Sequence, residues 1–432
     1  MSNMNSELAN TAELTYENVL KLNNKIRMTD KNEENGLELF CYNHCDNTES
    51  DFVKKCRGIV FHEGKLVLSA YPYTDEYSHT EVETIEKVLV NFSKWTFFEA
   101  YEGSLLRLFN FGGKWFLTTH RKLNAFRSKW SSKESFGTLF KRALSLVFKD
   151  EGKNESILET FQNTLDKNKQ YMFLIRNTSE NRIVSNPPKD TQPHVYHVGT
   201  MHDGILDLFD NVGLPKPRKL QFLNVDELLD FVSKLDYKES QGVMCFGPES
   251  TGFKQIKIYN SMYYDLFRVR GNVPSVKYRY LELRMQKDMV NKLYSLYPDA
   301  ISTFENYEKT LRKIAEYILN AYTQRFISGH FVTVPKEEYE VVKACHAWFL
   351  SNPKKNYISL QKVISELNKQ PATNLNRMIR RHRSETDDNV YPRSISSVNN
   401  SPAILPMQST KSPEFKPLVS SSEPHWHYSY PN

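Results

Sequence analysis

Residues 95–124 read WTFFEAYEGSLLRLFNFGGKWFLTTHRKLN, and this stretch decides the fold. Apolar residues dominate 105–111 and again 114–119, and the Gly112-Gly113 pair between the two runs is typical of a tight turn. The pattern predicts a β-hairpin. The segment Ala100-Tyr101-Glu102-Gly103 lies immediately before the first predicted strand, so an acidic residue and a glycine stand at the entrance of the hairpin.

Other short segments of the chain have the same strand-like character. Each is rich in apolar residues and is bounded by turn residues, which indicates strands joined by tight turns and loops. These segments are KCRGIVF (55–61), LVLSAYPY (66–73), YMFLIRN (171–177), ENRIV (180–184), QGVMCF (241–246) and FKQIKIY (253–259). We expect them to build antiparallel sheets together with the hairpin.

In order and spacing, these segments resemble those of phage-type ATP-dependent RNA ligases, which belong to the covalent nucleotidyltransferase superfamily. The resemblance extends over roughly residues 50–265. It implies an α+β fold, in which an RNA ligase-like nucleotidyltransferase domain of antiparallel sheets with flanking helices is followed by a small all-helical domain. It also implies ATP and Mg²⁺ as cofactors, and nucleotide-binding roles for Arg57, Glu102, Gly103 and Lys257.

The chain departs from this family at the positions that carry the chemistry. The ligases have a Lys-x-(Asp/Glu)-Gly motif whose lysine attacks the nucleotide α-phosphate, whereas Ala100 occupies that position here, and a methyl group cannot be a nucleophile. The family's strand carboxylate near 173–175 is replaced by apolar residues such as Ile175, and the next carboxylate by Gln241. The first lysine of the last strand is replaced by Gln255.

These departures predict a cleft without the original chemistry. An amide or an apolar side chain lacks the negative charge that Mg²⁺ prefers in its ligands. We therefore expect no catalytic residue at Ala100, no metal ligands and no covalent protein–nucleotide adduct. Another lysine as a substitute nucleophile stays open, and the nearby candidates are Lys94, Lys114 and Lys122.

A basic segment follows the hairpin. Cations and aromatic residues alternate in THRKLNAFRSKW (119–130), a mixture that suits nucleic acid because cations contact phosphates and aromatic faces stack on bases. The predicted phosphate-binding residues are Arg107, Arg121, Lys122, Arg127 and Lys129, and the predicted partner is RNA or another polyanion. The alternative is a cationic helix start whose aromatic residues belong to the core.

Composition is compatible with this interpretation. The chain has 432 residues, a formal net charge of +6 and a pI near 8.7, which permits a polyanionic partner. It has no apolar run of about 18 residues and a polar N-terminus, so we expect no membrane association and an intracellular, cytoplasmic protein. Five cysteines form no even disulfide framework, which indicates a reducing compartment.

Changes of periodicity predict four regions. They are an N-terminal segment (1–34), the ligase-like domain (35–275), a helical domain (276–383) and a Ser-, Pro- and Asn-rich disordered tail (384–432). The end of the helical domain, NRMIRRHR (376–383), predicts either an RNA contact or a solvated helix end. The tail is a candidate docking segment for a protein partner.

Three functions are consistent with the sequence. The first is a catalytically degenerate, RNA ligase-like nucleotidyltransferase that is retained as a nucleotide- or RNA-binding module. The second is an active RNA ligase that uses an atypical nucleophile or acts only on pre-adenylated ends. The third is a structural or assembly protein of a large DNA virus with a vestigial cleft, a setting suggested by the Lys/Asn-rich character of the chain, and it places the protein in a viral factory or virion.

Overall fold

The computed structural model describes residues 13–69, 71–149, 157–176, 178–247 and 254–387. The chain divides into two compact units, Met1–His382 and Arg383–Asn432, and the three sheets lie in the first. The predicted tail lies outside the described residues from position 388 onward, as do the first twelve residues of the predicted N-terminal segment.

The strands are short, as their turn-bounded sequence segments predict. They are β1 (Ile26–Asn32), β2 (Leu37–Tyr42), β3 (Arg57–His62), β4 (Lys65–Leu68), β5 (Asp75–Ser78), β6 (Thr96–Ala100), β7 (Gly103–Phe111), β8 (Lys114–Thr118), β9 (Gln170–Arg176), β10 (Val195–His202), β11 (Ile205–Asp207), β12 (Lys219–Leu220), β13 (Gly242–Phe246) and β14 (Gln255–Tyr259).

The helices frequently begin after a Ser, Thr or Asn whose side chain accepts a hydrogen bond from the first turn, as at Ser135, Asn224 and Asn260. They are α1 (Tyr16–Lys21), α2 (Asp51–Lys55), α3 (Val82–Val88), α4 (Phe136–Val147), α5 (Ile157–Asn163), α6 (Val225–Lys234), α7 (Ser261–Arg270), α8 (Val276–Leu283), α9 (Lys287–Leu296), α10 (Ile301–Tyr322), α11 (Lys336–Ser351), α12 (Leu360–Leu367) and α13 (Ala372–Asp387).

The predicted hairpin is confirmed. Strands β7 and β8 pair antiparallel from Arg107 opposite Thr118 to Phe111 opposite Lys114, and the two glycines between them both have positive φ. Strand β7 also pairs with β9, so the hairpin belongs to a sheet with the order β11-β10-β9-β7-β8. Every pairing in this sheet is antiparallel.

Two further sheets complete the strand arrangement of the described residues. One has the order β1-β2-β3-β4 and is antiparallel throughout. Its first hairpin joins residues on both sides of position 34, where the sequence predicted the end of an N-terminal segment. The other sheet has the order β12-β6-β13-β14-β5, and its pairings are antiparallel except for β14 with β5.

Side chains alternate along each strand between two faces of the sheet, one that packs against helices and one that faces the other sheet. In β9, Tyr171, Phe173 and Ile175 pack with the apolar residues of α4 and α5. Met172, on the opposite face, packs with Phe98 and other residues in a smaller apolar cluster that both large sheets share. The two five-stranded sheets therefore face each other across an interior that contains this cluster.

The C-terminal region is helical, as its periodicity predicts. Helices α8 to α13 share one apolar core, with Leu293, Phe304 and Ile314 among its most buried members. Pro298 opens a short 3₁₀ turn between α9 and α10, where the sequence predicted a break. The α+β class with antiparallel sheets and a helical C-terminal region is confirmed, whereas the domain boundaries stay a prediction.

The arginine-rich end of this region forms internal ion pairs. In α13, Arg381 lies 2.5 Å from a carboxylate oxygen of Glu338 and 2.8 Å from one of Glu337, and Arg377 lies 3.2 Å from Glu337. Glu338 is fully buried. Arg381 therefore joins α13 to α11. Neither of the two predictions for this segment, an RNA contact or a solvated helix end, included such an ion pair.

Candidate functional site

A cleft of about 180 Å³ lies between the two five-stranded sheets, at the end of β6. One part of its lining is apolar and aromatic, and consists of Tyr71, Phe98, Leu105, Leu174, Val198, Leu208, Met244 and Phe246. Another part is cationic, with Arg57, Lys216 and Lys257. Such a pairing of an apolar slot with a few convergent polar groups is typical of small-molecule sites.

The Ala100-Tyr101-Glu102-Gly103 segment borders this cleft. Ala100, which is 3% exposed, ends β6 opposite Gly242, and its carbonyl oxygen accepts hydrogen bonds from Gln241 N (2.9 Å) and Ser240 Oγ (3.0 Å). Ala100, Tyr101 and Gly103 line the cleft. The position that the resemblance assigns to a reactive lysine thus faces the cavity and presents a methyl group to it.

The predicted nucleotide contact of Glu102 is wrong. Glu102 is 3% exposed, is absent from the cleft lining and turns its carboxylate into the protein. Its oxygens accept hydrogen bonds from the backbone N–H groups of Ile183 (2.7 Å), Val184 (2.8 Å) and Ser185 (3.0 Å), and from the Tyr263 hydroxyl (2.9 Å). These four donors take up the carboxylate, so Glu102 joins three distant parts of the chain instead of binding a ligand.

Gly103 lies at the cleft for a steric reason. A Cβ atom at this position would come within 2.3 Å of the Ile175 carbonyl oxygen in the paired strand β9. A side chain here would separate β7 from β9 and open the sheet that forms one wall. Because Gly103 does line the cleft, its predicted nucleotide contact stays a prediction.

Lys257 reaches the cleft within a network of hydrogen bonds. Its ammonium lies 3.0 Å from Glu76 Oε1, 3.1 Å from Gln241 Oε1 and 3.2 Å from the Tyr259 hydroxyl. Burial raises the pKa of Glu76, but the Lys257 charge, the hydrogen bonds from Tyr259 and Lys257 and the Arg57 charge together outweigh this effect. The net pKa is lowered, so the pair is ionised at neutral pH. Lys257 is thus already neutralised by a carboxylate.

Gln255 and Arg57 meet at one carbonyl group. Gln255 Nε2 donates to Pro72 O (2.9 Å) and to Thr74 Oγ1 (2.7 Å), and Arg57 also donates to Pro72 O (3.2 Å). A lysine at position 255 would bring three donors and a positive charge to the same two neutral acceptors. Among the described residues Arg57 forms no ion pair, although Glu76 is near enough for the Arg57 charge to lower its pKa.

The cleft does not fit a magnesium ion. Among the described residues that line it, Glu99 contributes the single carboxylate, and Arg218 Nε already holds that group at 2.8 Å. Gln241 Oε1 accepts from Lys257. More widely, no group of three His, Cys, Asp or Glu side chains in the described parts of the chain is placed to hold a metal. Mg²⁺ requires several oxygen ligands in near-octahedral geometry, which this donor set does not offer.

The apolar replacement that faces the cleft is Leu174. The sequence indicated the range 173–175 and named Ile175, but Ile175 is 1% exposed and points into the helix-covered core. Because side chains alternate along a strand, Leu174 is the residue of β9 that lines the cleft. The cleft wall is apolar at this point.

The predicted phosphate-binding residues divide into two groups. Arg107 is wrong as an RNA contact, since it is 1% exposed and its guanidinium donates to the carbonyl oxygens of Arg57, Gly58 and Thr119. Its strand is covered on both faces, so its side chain points inward against β3. The exposed residues of the group are Arg121, Arg127 and Lys129, and Lys122 is partly exposed with its ammonium 3.2 Å from Asp30.

Arg121 lies near the cleft residue Arg57, because the charges of both arginines act on His120. Burial, with smaller contributions from the charges of Arg57, Arg107 and Arg121, lowers the pKa of His120 to about 3. One imidazole thus senses both the cleft arginine and the exposed loop arginine. The aromatic and apolar residues of the loop are partly buried and partly exposed. Leu123 is a core residue and Trp130 packs against the core, whereas Phe126 is 41% exposed.

Lys216 is the cleft residue that sequence reasoning missed. Among the candidates named from sequence, Lys114 lies 2.8 Å from Glu34 and Lys122 pairs with Asp30, and neither lines the cleft, nor does Lys94. Lys216 belongs to LPKPRKL (214–220), far from Ala100 in the chain. The cluster of basic residues between prolines was a weak signal, and only the pairing of β12 with β6 brings it to the site.

The fold and the cleft define the class of this protein: an α+β protein of antiparallel sheets around an apolar and cationic cleft, with a helical C-terminal region. No protein-family model matches the chain. The immediate-early protein ICP-46 homolog of Invertebrate iridescent virus 6 is 31% identical over 429 residues, which cover 91% of this chain and 93% of that protein. The chain therefore belongs to the ICP-46 immediate-early protein family of iridescent viruses.

Among solved structures, the chain is matched with ATP-dependent ligases at low TM-scores. An archaeal ATP-dependent RNA ligase gives a TM-score of 0.38 at 12% identity, over 81% of this chain and 93% of that one. A point mutant of Naegleria gruberi RNA ligase, solved with ATP and Mn, gives 0.29 at 13% identity over 44% of this chain and 57% of that one. No helix in the described residues is both long and apolar enough to cross a membrane.

Proposed function

We propose that this chain is a catalytically degenerate, RNA ligase-like nucleotidyltransferase that binds a nucleotide reversibly in the cleft. The observation that carries this proposal is the composition of the cleft lining. An apolar and aromatic slot suits a base, and adjacent cations suit phosphates, while a methyl group stands at the Ala100 position. The segments that resemble the ligases meet around this one cavity.

The charges of the cleft support an anionic ligand. Arg57, Lys216 and Lys257 line it against one carboxylate, Glu99, which is already paired with Arg218. Glu76 neutralises Lys257, and Arg57 has a neutral carbonyl oxygen as its acceptor. A partly buried cation without a paired carboxylate is stabilised when an anion enters.

The absence of a covalent step follows from the same residues. Attack on an α-phosphate requires a positioned nucleophile and a counter-charge for the pyrophosphate that leaves. Ala100 supplies no nucleophile, and the lining residues offer no set of oxygens for a divalent ion. Binding without transfer is the outcome that this arrangement favours.

Calorimetric titration of the full chain with ATP tests the proposal, with Mg²⁺ and separately with EDTA. We expect binding in both conditions, because the protein itself offers no metal ligands in the cleft. Arg57→Gln removes one cleft charge and should weaken binding about tenfold or more, as for the loss of a charge-assisted hydrogen bond. Arg127→Gln, an exposed change outside the cleft, is the matched control and should leave the affinity unaltered.

Incubation with α-labelled ATP, followed by denaturing electrophoresis, completes the test. Label that stays on the protein through denaturation would support the alternative of an active ligase with an atypical nucleophile. Absence of any ATP binding would favour the other alternative, a structural or assembly protein with a vestigial cleft. Reversible binding with no retained label is the result expected here.

RNA is the second candidate ligand, and the loop beyond the hairpin favours it. Arg121, Arg127 and Lys129 are exposed there, beside Phe126. Arg121 also lies near the cleft, since its charge and that of the cleft residue Arg57 both lower the pKa of His120. Exposed cations of this kind contact phosphates irrespective of sequence. Filter binding of labelled single-stranded RNA at low and physiological salt tests this, and affinity should fall steeply with salt.

A further inference from the structure

Lys216 enters the cleft from the segment just before β12, the strand that pairs with the Ala100 strand. Strands β12 and β6 pair antiparallel with Lys219 opposite Phe98, and continuing the register brings Pro217 beside Ala100. Lys216 directly precedes Pro217 in the chain and lines the same cavity as Ala100. The chain therefore has an alanine where a lysine is expected on one strand, and a lysine beside it on the neighbouring segment.

In the described residues, the Lys216 ammonium has no directly paired carboxylate. Its Nζ donates to Leu208 O at 2.9 Å and lies 3.3 Å from His197 Nδ1. No carboxylate of the described residues lies within ion-pair distance of it, and Asp207 and Asp210 act on it only at longer range. An ammonium has three donors, and these two contacts use two of them. One N–H remains for a ligand in the cleft.

Lys216 is placed to bind an anion and lacks a base that would turn it into a nucleophile. Burial, with a smaller contribution from the Lys216 charge, lowers the pKa of His197 to about 4. A neutral imidazole of such low basicity does not hold the proton of an alkyl ammonium near neutral pH. The His197 Nε2 lies 3.0 Å from Thr200 Oγ1, so donation at that nitrogen leaves Nδ1 as an acceptor for Lys216.

We propose that Lys216 is a phosphate-binding residue of the cleft, whose ammonium forms a reversible ion pair with a phosphate of the bound nucleotide beside Ala100. This inference rests on the proposed nucleotide binding and assigns its anionic contact to a residue outside the ligase-like segments. Ion pairing replaces bond formation at this place. No bond of the nucleotide breaks, and no group leaves.

The other two cations of the cleft have more restricted roles. Lys257 is bound to Glu76, so a phosphate there would have to compete with a carboxylate that is already in contact. Arg57 is anchored to Pro72 O, on the side of the cleft that adjoins Gln255 and Thr74. Lys216 combines partial burial with the absence of a paired carboxylate, which makes it the lysine with the most to gain from a phosphate.

Calorimetry with adenosine, AMP and ATP separates the phosphate contact from the base contact. Lys216→Met keeps the aliphatic stem and removes the charge, so it should weaken AMP and ATP binding about tenfold or more and leave adenosine binding unaltered. Lys216→Arg should recover part of the loss. Lys219→Met is the matched control, since its ammonium lies over the ring of Phe209 at 4.6 Å and not in the cleft, and it should bind all three ligands as the parent does.

The outcomes distinguish this inference from the proposal on which it rests. If the parent chain binds AMP and the Lys216→Met variant, with an unaltered melting temperature, binds AMP equally well, the phosphate role of Lys216 is refuted while nucleotide binding stands. If the parent binds neither adenosine nor AMP, nucleotide binding itself fails. Label from α-labelled ATP that is mapped to Lys216 after denaturation would overturn the reversible character of the contact.

Discussion

Glu102→Gln is the substitution that separates a structural role of Glu102 from a ligand-binding one. The change keeps the size of the side chain and removes its charge. The carboxylate accepts from Ile183 N at 2.7 Å through one oxygen, and from Val184 N, Ser185 N and Tyr263 OH at 2.8, 3.0 and 2.9 Å through the other. A glutamine has one acceptor oxygen and one NH₂ donor group for the same four donors.

The expected cost follows from this count. The amide oxygen can take the place that accepts three bonds, and the NH₂ group then faces the Ile183 N–H, donor against donor. An unsatisfied buried donor costs about 1–3 kcal/mol, and three remaining bonds that lose their charge assistance weaken further. We expect a total loss of about 3–5 kcal/mol in the free energy of unfolding, in the range for breaking a buried charged network.

Thermal unfolding followed by circular dichroism measures this loss. For a unit of this size, about 2 °C per kcal/mol predicts a midpoint lowered by roughly 6–10 °C. Glu86→Gln, on the exposed face of α3, is the control and should unfold with the parent. ATP affinity of the folded Glu102→Gln variant should be unaltered, because Glu102 does not line the cleft. An unaltered midpoint together with lost ATP binding would refute the structural role.

The remaining predictions concern the cleft and its basic edge. Ala100→Lys should give no stable adduct with α-labelled ATP on denaturing gels, because the cleft still lacks metal ligands; a robust adduct would contradict this. Arg121→Ala should weaken single-stranded RNA binding in filter assays and lower the slope of log affinity against log salt by about one. Lys122→Ala should have a smaller effect, because the Lys122 ammonium is already paired with Asp30. Equal effects of the two changes would refute this distinction. Gly103→Ala should lower stability by about 2–3 kcal/mol in denaturant unfolding, since its Cβ would meet the Ile175 carbonyl oxygen at 2.3 Å; parent-like stability would refute the steric argument.

Local patterns predicted the local structure of this chain well. The Gly112-Gly113 turn and the two apolar runs around it are contained within one short stretch, and the hairpin formed there as β7 and β8. The strand at 55–61 likewise became β3, because alternation and a following turn are properties of a short segment. The break between two helices at Pro298 was also predictable, because a proline acts on its own local backbone.

The roles of charged residues depended on distant partners and were harder to predict. Glu102 meets backbone groups that are 81 to 83 residues away, and a hydroxyl that is 161 residues away. Arg107 was predicted to bind phosphate because the resemblance brings its segment to the same side of the domain as the other cations. In the structure, β3 covers its face of the strand and supplies two carbonyl acceptors. Lys216 lines the same cleft as Ala100 because β12 pairs with β6.

These long-range contacts explain how a ligase-like pattern can be present in a chain that lacks the ligase nucleophile. Gly103 is required because any side chain would strike Ile175 O, and Glu102 connects the hairpin entrance to the 183–185 segment and to α7. Those residues stabilise the walls of the cleft whether or not the cleft performs chemistry. At position 100 only the backbone joins the sheet, opposite Gly242, and the side chain is a methyl group that lines the cleft. The retained part of the motif therefore holds the fold, and the altered part is the one that the resemblance assigns to chemistry on a phosphate. This division is the reason that we propose binding, and not transfer, for this cleft.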